Sequence, residues 1–248
     1  MKKTAIITGA SRGIGYAAAK KLGMDGCQVV LFATGEKERY KAAIDGLTQA
    51  GITWHYVRGS LDCREDRERL IRETVEKFGR IDILVNNAGI IKRCDAVDVT
   101  EADWDTVIDI NEKVVFFLSQ AFAKQYIKQQ DGGKIINVAS MLSYQGGIRV
   151  PSYTASKSAI MGLTKALANE WAKYNINVNA IAPGYMATNN TAQLRSDDDR
   201  SDEILSRIPA GRWGTPEDMQ GAVVWLASKA SDYVNGYTVA VDGGWLAR

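Results

Sequence analysis

Ser140, Tyr153 and Lys157 share one stretch, SMLSYQGGIRVPSYTASK, with the serine thirteen residues before the tyrosine and the lysine four after it. Four residues is about one helical turn, so a helix starting near Ser152 puts Tyr153 and Lys157 on one face. A free phenol titrates near ~10 and is a poor acid or base at neutral pH. A neighbouring ammonium favours the phenolate and lowers that value, as a catalytic acid/base requires. The Ser140 hydroxyl suits a substrate oxygen on which charge changes during reaction. The spacing alone is common, since Tyr16 and Lys20 repeat it. Its meaning depends on the elements that position it.

Thr4 to Thr8 (TAIIT) reads as a strand running directly into Gly9-Ala-Ser11-Arg12-Gly13-Ile14-Gly15, with a helix expected over Tyr16 to Met24. Strand, glycine turn and helix form the setting in which glycines let a backbone approach a pyrophosphate. The helix N-terminus adds free N–H groups and a positive dipole end. The alternative is an ordinary glycine-rich turn. Further strands are expected at 28–33, 53–58, 81–86, 134–139, 177–182 and 238–241, with helices at 36–50, 64–78, 104–129, from about 152 past 171, and 216–228. Such alternation predicts βαβ units and a parallel sheet with right-handed crossovers. The expected fold is therefore α/β, a single-domain Rossmann arrangement over residues 1–248 with a seven-stranded parallel sheet flanked by helices on both faces. Residues 185–208 show no strong apolar period and carry Asp197, Asp198 and Asp199, so a solvated lid over the site is expected at about 185–210 rather than a metal site.

Dinucleotide-binding folds carry an acidic residue for the adenosine ribose hydroxyls at the end of their second strand. This chain has Ala33, then Thr34 and Gly35. No carboxylate stands there to repel a 2′-phosphate, and Arg12 could pair with one, so NADP is permitted. Asn86-Asn87-Ala88-Gly89 ends the fourth strand, where ligands of open α/β sheets bind.

Composition narrows the classes. The 248 residues are 46% hydrophobic, enough for a sizeable core, and 31 basic against 29 acidic residues leave a net charge of +2. No electrostatic case exists for nucleic acid or an anionic membrane. No apolar run approaches the ~18 residues of a membrane span. Cys27, Cys63 and Cys94 are odd in number and far apart, which suits a reducing cytoplasm. His55 is the sole histidine, so zinc chemistry and histidine-dependent triads are disfavoured and no metal is expected.

Taken in order, Thr8-Gly9-x-x-x-Gly13-x-Gly15, Asp62, Asn86-Asn87-Ala88-Gly89, Asn111, Ser140, Tyr153-x-x-x-Lys157 and Pro183-Gly184 with Thr188 resemble the short-chain dehydrogenase/reductase family across nearly the whole chain. The resemblance implies that Tyr153 donates or accepts the proton, that Lys157 lowers its pKa and holds the nicotinamide ribose, and that Ser140 polarises the substrate carbonyl. Asn111 would hold a water linking Lys157 to solvent. Asp62 and the Cys63 backbone would contact adenine, and Met186 and Thr188 the nicotinamide carboxamide. Ser11, Arg12, Ile14, Thr34, Asn87, Ala88, Gly89, Pro183 and Gly184 would complete the cofactor site. Family membership further implies NAD as the usual cofactor and a cytoplasmic homotetramer built through the Asn111 and Tyr153 helices and the last strand.

From about Gly79 onward the likeness is to those family members that act on keto-deoxy sugar acids. A substrate carboxylate calls for a cation, and Arg149, four residues before Tyr153, is the expected bidentate clamp, with Gln145 reading hydroxyls nearby. Arg149 as a surface or inter-subunit salt bridge is the competing reading. Other functions left open are a 3-oxoacyl-carrier-protein reductase, another sugar or polyol dehydrogenase, and a non-catalytic dinucleotide sensor.

Overall fold

The computed structural model describes residues 2–248. In β1 (Thr4–Thr8), Ala5 and Ile7 face one helical layer while Ile6 faces the other. Both faces are covered, so the strand reads apolar throughout rather than alternating. The chain continues through α1 (Gly13–Met24), β2 (Gln28–Ala33), α2 (Lys41–Gln49), β3 (Trp54–Arg58), α3 (Arg64–Phe78) and β4 (Ile83–Asn86). Next come α4 (Glu101–Ile108), α5 (Val114–Gln129), β5 (Gly133–Val138), α6 (Pro151–Trp171) and β6 (Ile176–Pro183). The last part holds α7 (Ala192–Arg195), α8 (Asp198–Arg207), α9 (Gln220–Ala227) and β7 (Thr238–Val241).

All seven strands are parallel, in the order β3-β2-β1-β4-β5-β6-β7. The order reverses between β1 and β4, and a crevice opens there at the carboxyl ends of the strands. One face of the sheet packs Ala5, Val29, Leu31, Val85 and Ile136 against α1, α2 and α9. The other packs Ile6, Val30, Leu84 and Ile135 against Leu70 of α3, Leu118 and Phe122 of α5, and Leu167 of α6. The helix after the glycine turn is closed from the far end of the sequence. Ala18 and Leu22 of α1 share a core with Val223 and Leu226 of α9, and the Gln220 side-chain amide donates to the Ala17 carbonyl at 3.2 Å.

Four expected elements take a different form. The helix after the glycine turn begins at Gly13, inside the turn itself. The segments expected as helices over 36–50 and 216–228 open instead with 3₁₀ turns, Lys37–Tyr40 and Pro216–Met219. The long helix expected over 104–129 starts earlier, at Glu101, where Thr100 accepts from the Asp103 N–H, and is interrupted by a π-turn over Asp109–Lys113. A π-turn inserts one residue and re-aims the side chains around it, and Asn111 sits at its centre, fully buried.

Candidate active site

β5 delivers Ser140, and α6, opened by Pro151, delivers Tyr153 and Lys157 one turn apart. The Ser140 Oγ accepts from the Leu142 N–H at 3.1 Å, and the Ser140 N–H donates to Ser143 Oγ at 3.2 Å. With a lone pair already engaged, the Ser140 hydroxyl proton is left to donate to a substrate oxygen. Ser143 Oγ in turn donates to the Lys157 carbonyl at 2.5 Å, tying the serine turn to the helix that carries the tyrosine.

Lys157 is buried, 4% exposed. Its ammonium donates to the Val138 carbonyl at 2.6 Å and lies 5.6 Å from the centre of the Tyr153 ring. Desolvation pushes the Lys157 pKa down to about 8. The Tyr153 phenol is pushed up by burial, offset in part by the neighbouring Ser140 hydroxyl and the positive charge of Arg93. In this arrangement the phenol is thus raised rather than lowered, because burial outweighs the Ser140 hydroxyl and the Arg93 charge, and the Lys157 ammonium does not offset it.

The Asn111 side chain clasps the loop after β4. Its Oδ1 accepts from the Ile90 N–H, its Nδ2 donates to the Ile90 carbonyl, both at 2.9 Å, and Nδ2 also reaches Ser156 Oγ at 3.2 Å. Gly89 lies at the meeting point. A Cβ there would stand 3.1 Å from Asn111 Oδ1 and 3.7 Å from Lys157 Nζ. Below this layer, Asn86 Nδ2 donates to Ser119 Oγ and Asn137 Oδ1, and Asn137 Nδ2 to Thr164 Oγ1. These buried polar groups are mutually satisfied, which fixes β4, β5 and α6 to one another.

A cleft of about 590 Å³ runs along the carboxyl ends of β1, β2 and β4. Gly9, Ser11, Arg12, Gly13, Ile14, Thr34, Asp62, Asn87, Ala88, Gly89 and Thr188 all line it, together with Ala33, Tyr40, Ile90 and Asn190. Asn87 braces the glycine turn, its Nδ2 donating to the carbonyls of Thr8 and Gly9 at 2.9 and 3.2 Å. Gly15 lies behind the wall rather than in it. A Cβ at Gly15 would press on the Asn87 amide and sit 2.5 Å from the Gly9 carbonyl oxygen, so only glycine lets α1 start this close to the turn. No side chain caps the N-terminus of α1, so its first amides keep their capacity for an anion. The lining suits a dinucleotide, with the turn amides for a pyrophosphate, Arg12 for a ribose 2′-phosphate and Asp62 for an adenine, while Cys63, Ser140, Tyr153, Lys157, Pro183 and Gly184 lie outside it.

Other expected residues hold the walls. Gly184 packs against Asp242, and the Met186 side chain is buried against Gly214, so its side chain faces the core. Asp197 accepts from the Arg200 N–H as the N-cap of α8. Among the described residues no group of acidic, cysteine or histidine side chains forms a metal site. The segment expected as a lid carries α7 and α8, seated by Ile204 and Ile208 on Met141 and Trp245.

Of the two arginines nearby in chain or space, only Arg93 acts on the Tyr153 phenol. Arg149 Nε is paired with Asp95 at 2.8 Å, and the Arg149 side chain is 60% exposed. Its backbone is left-handed (φ 63°), a conformation in which an arginine is strained, with its carbonyl accepting from the Cys94 N–H at 3.0 Å. Gln145 is half-buried in the turn between Ser140 and Arg149. Arg93 donates from Nη2 to the Asn190 carbonyl at 2.8 Å, joining the loop after β4 to the lid. Its charge acts on both Tyr153 and Tyr185. Sequence reading overlooked Arg93 because sixty residues separate it from Tyr153 and no spacing rule links them.

Comparison with known proteins adds three findings. The family described as enoyl-(acyl carrier protein) reductase matches residues 9–246. A 2-dehydro-3-deoxy-D-gluconate 5-dehydrogenase of Dickeya dadantii is 60% identical over 99% of this chain and 96% of its own. Among solved structures, an Agrobacterium tumefaciens chain, named as a 2-deoxy-D-gluconate 3-dehydrogenase and holding NADP, is 49% identical, with a TM-score of 0.89 over 99% of this chain and 97% of its own. A Burkholderia cenocepacia gluconate 5-dehydrogenase in complex with NADP and tartrate is 35% identical, with a TM-score of 0.94 over 100% and 97%.

Proposed function

The chain belongs to the short-chain dehydrogenase/reductase family, and from that premise we propose that it is an NAD(P)-dependent oxidoreductase interconverting a keto group and a secondary alcohol on a keto-deoxy sugar acid, of the 2-dehydro-3-deoxy-D-gluconate 5-dehydrogenase type. The observation that carries this reading is the Ser140–Tyr153–Lys157 constellation with the charge of Arg93 beside its phenol. A bound nicotinamide supplies or accepts the hydride at the carbon. In the reducing direction the Ser140 hydroxyl donates to the carbonyl oxygen, and Tyr153 delivers its proton to that oxygen as charge develops there. Lys157, its pKa brought down to about 8 by burial, stands beside the Tyr153 ring as the nearby proton store. Asn111, at the centre of the π-turn, would hold a water linking Lys157 to solvent, as family likeness implies. In oxidation the same groups run in reverse.

Arg93 is the cation to which we assign the substrate carboxylate, since it joins the lid to the mouth of the site. Arg149 could take that role only by giving up Asp95. The relatives' sugar-acid names and the tartrate held by the Burkholderia enzyme support a hydroxy-acid substrate. Family membership alone points to NAD, but NADP in both solved relatives, with Ala33 in place of a carboxylate, favours the phosphorylated dinucleotide. A cytoplasmic location fits three unpaired cysteines and the absence, among the described residues, of any helix long and apolar enough to cross a membrane.

Initial rates with a 2-keto-3-deoxy sugar acid test the reading. Tyr153→Phe should lose on the order of 10²–10⁴-fold in kcat with cofactor affinity kept. Arg93→Ala should raise KM for the acid about tenfold or more, and Arg149→Ala much less. Turnover on acyl thioesters but not on the sugar acid would replace the substrate, and tight cofactor binding with no turnover on any carbonyl would favour a sensor.

A further inference from the structure

β3 ends in Arg58, which lies in register beside Ala33 at the end of β2. The first carboxylate after that point is Glu36. Where a dinucleotide-binding fold takes an unphosphorylated ribose, a carboxylate in this region accepts from its hydroxyls. Here Glu36 is engaged elsewhere. Arg58 Nη1 donates to the Glu36 carboxylate, and Arg58 Nε donates to the Thr34 carbonyl at 3.4 Å. The guanidinium therefore straddles the 34–36 loop from the side of β3, while the cleft wall is formed by Ala33, Thr34 and Tyr40.

That loop is also pinned through Gly35. Its N–H donates to Tyr40 Oη at 3.2 Å, and its carbonyl accepts from Tyr56 Oη. The Tyr40 and Tyr56 rings pack 5.8 Å apart. Burial raises the Tyr56 phenol to about 12, so it stays a donor throughout the working range. The loop is thus held while the Glu36–Arg58 pair, with side chains 67% and 59% exposed, remains free to exchange partners. An exposed pair of this kind adds little stability, and a phosphate dianion is a better match than a carboxylate for a guanidinium fork.

We propose that Arg58 determines cofactor specificity: it holds the Glu36 carboxylate and, at the end of β3 in register with Ala33, supplies positive charge for a 2′-phosphate. This rests on the dinucleotide-enzyme reading above and concerns only cofactor binding, so it is measured without sugar substrate. Calorimetry on Arg58→Ala, Glu36→Ala and the double variant would use NADP⁺, NAD⁺ and the fragment pair adenosine 2′,5′-bisphosphate and adenosine 5′-monophosphate. Expected for Arg58→Ala are a tenfold or greater loss for NADP⁺ and the bisphosphate, and less than twofold change for NAD⁺ and the monophosphate. Removing Glu36 as well should recover part of the loss, and Arg58→Lys should fall between. Equal loss on both members of each pair, or no loss on either phosphorylated one, would overturn the assignment. A double variant no better than Arg58→Ala would overturn the restraint of Glu36. Thermal midpoints of all variants separate these outcomes from misfolding. A wild-type protein that binds neither dinucleotide would instead sink the oxidoreductase reading itself.

Discussion

Burial of the Lys157 ammonium beneath the Tyr153 ring moves its titration from 10.5 to about 8. Between those values the unfolded chain carries a proton that the folded chain has released, so stability rises with pH across that window and the penalty is fully present below it. Lys157→Met, which removes the charge and keeps much of the stem, should therefore be more stable than wild type at pH 7, by on the order of 3 kcal/mol less the lost bond to Val138. The gain should shrink toward zero near pH 10.5, while activity is lost throughout. Urea unfolding across pH checks this, and a gain independent of pH would contradict it. At this scale the sequence was informative about the placement of Tyr153 and Lys157, which α6 sets one helical turn apart as their spacing implied. It was silent about the places of Arg93 and Arg58, which are set by where separate loops and strands end.

Elements carry the next layer of positioning. The break in the α4–α5 helix turns Asn111 toward Ile90, where it satisfies both the N–H and the carbonyl of one residue. Asn111→Ala would leave those groups and Ser156 short of partners, at a cost of about 1–3 kcal/mol. Hydrogen exchange should accelerate at Ile90 and in the flanking loop, and kcat should fall with the cofactor Kd less affected. Unchanged protection at Ile90 would show that the clasp is dispensable. Strands were read from sequence to within a residue or two, since a parallel sheet covered on both faces demands continuous apolar runs such as TAIIT and QVVLFA. The π-turn was not, because nothing in the local run from Trp104 to Gln129 opposes an uninterrupted helix. Its cause is tertiary, a hydrogen-bond partner in the loop after β4. The 3₁₀ openings at Lys37 and Pro216 escaped for a related reason: tighter first turns share the composition of α-helical ones.

At the scale of the whole molecule, several large apolar side chains remain exposed, among them Trp104, Phe117 and Ile127 of α4 and α5 at 40–41%, and Tyr144 and Tyr237 beside Thr238 of β7. Isolated exposed apolar residues are ordinary, but clustered ones mark association. A homotetramer, which family likeness implies, would bury part of this surface. Light scattering should give about four times the 27.2 kDa chain mass, and Phe117→Asp should shift the mass downward. A monomer at micromolar concentration for the wild type would refute the assembly.

The packing of α1 against α9 has a bearing on how this protein is made. The glycine turn leads into α1, yet the packing that anchors that helix is completed by Val223, Leu226 and the Gln220 amide, some two hundred residues further along the chain. A nascent or truncated chain can have every phosphate-binding glycine in place and still lack the support that aims the amides of α1. On the dinucleotide-enzyme reading proposed above, nucleotide affinity would follow the completion of α9, and a cofactor that binds only the finished fold would selectively stabilise chains that carry that helix.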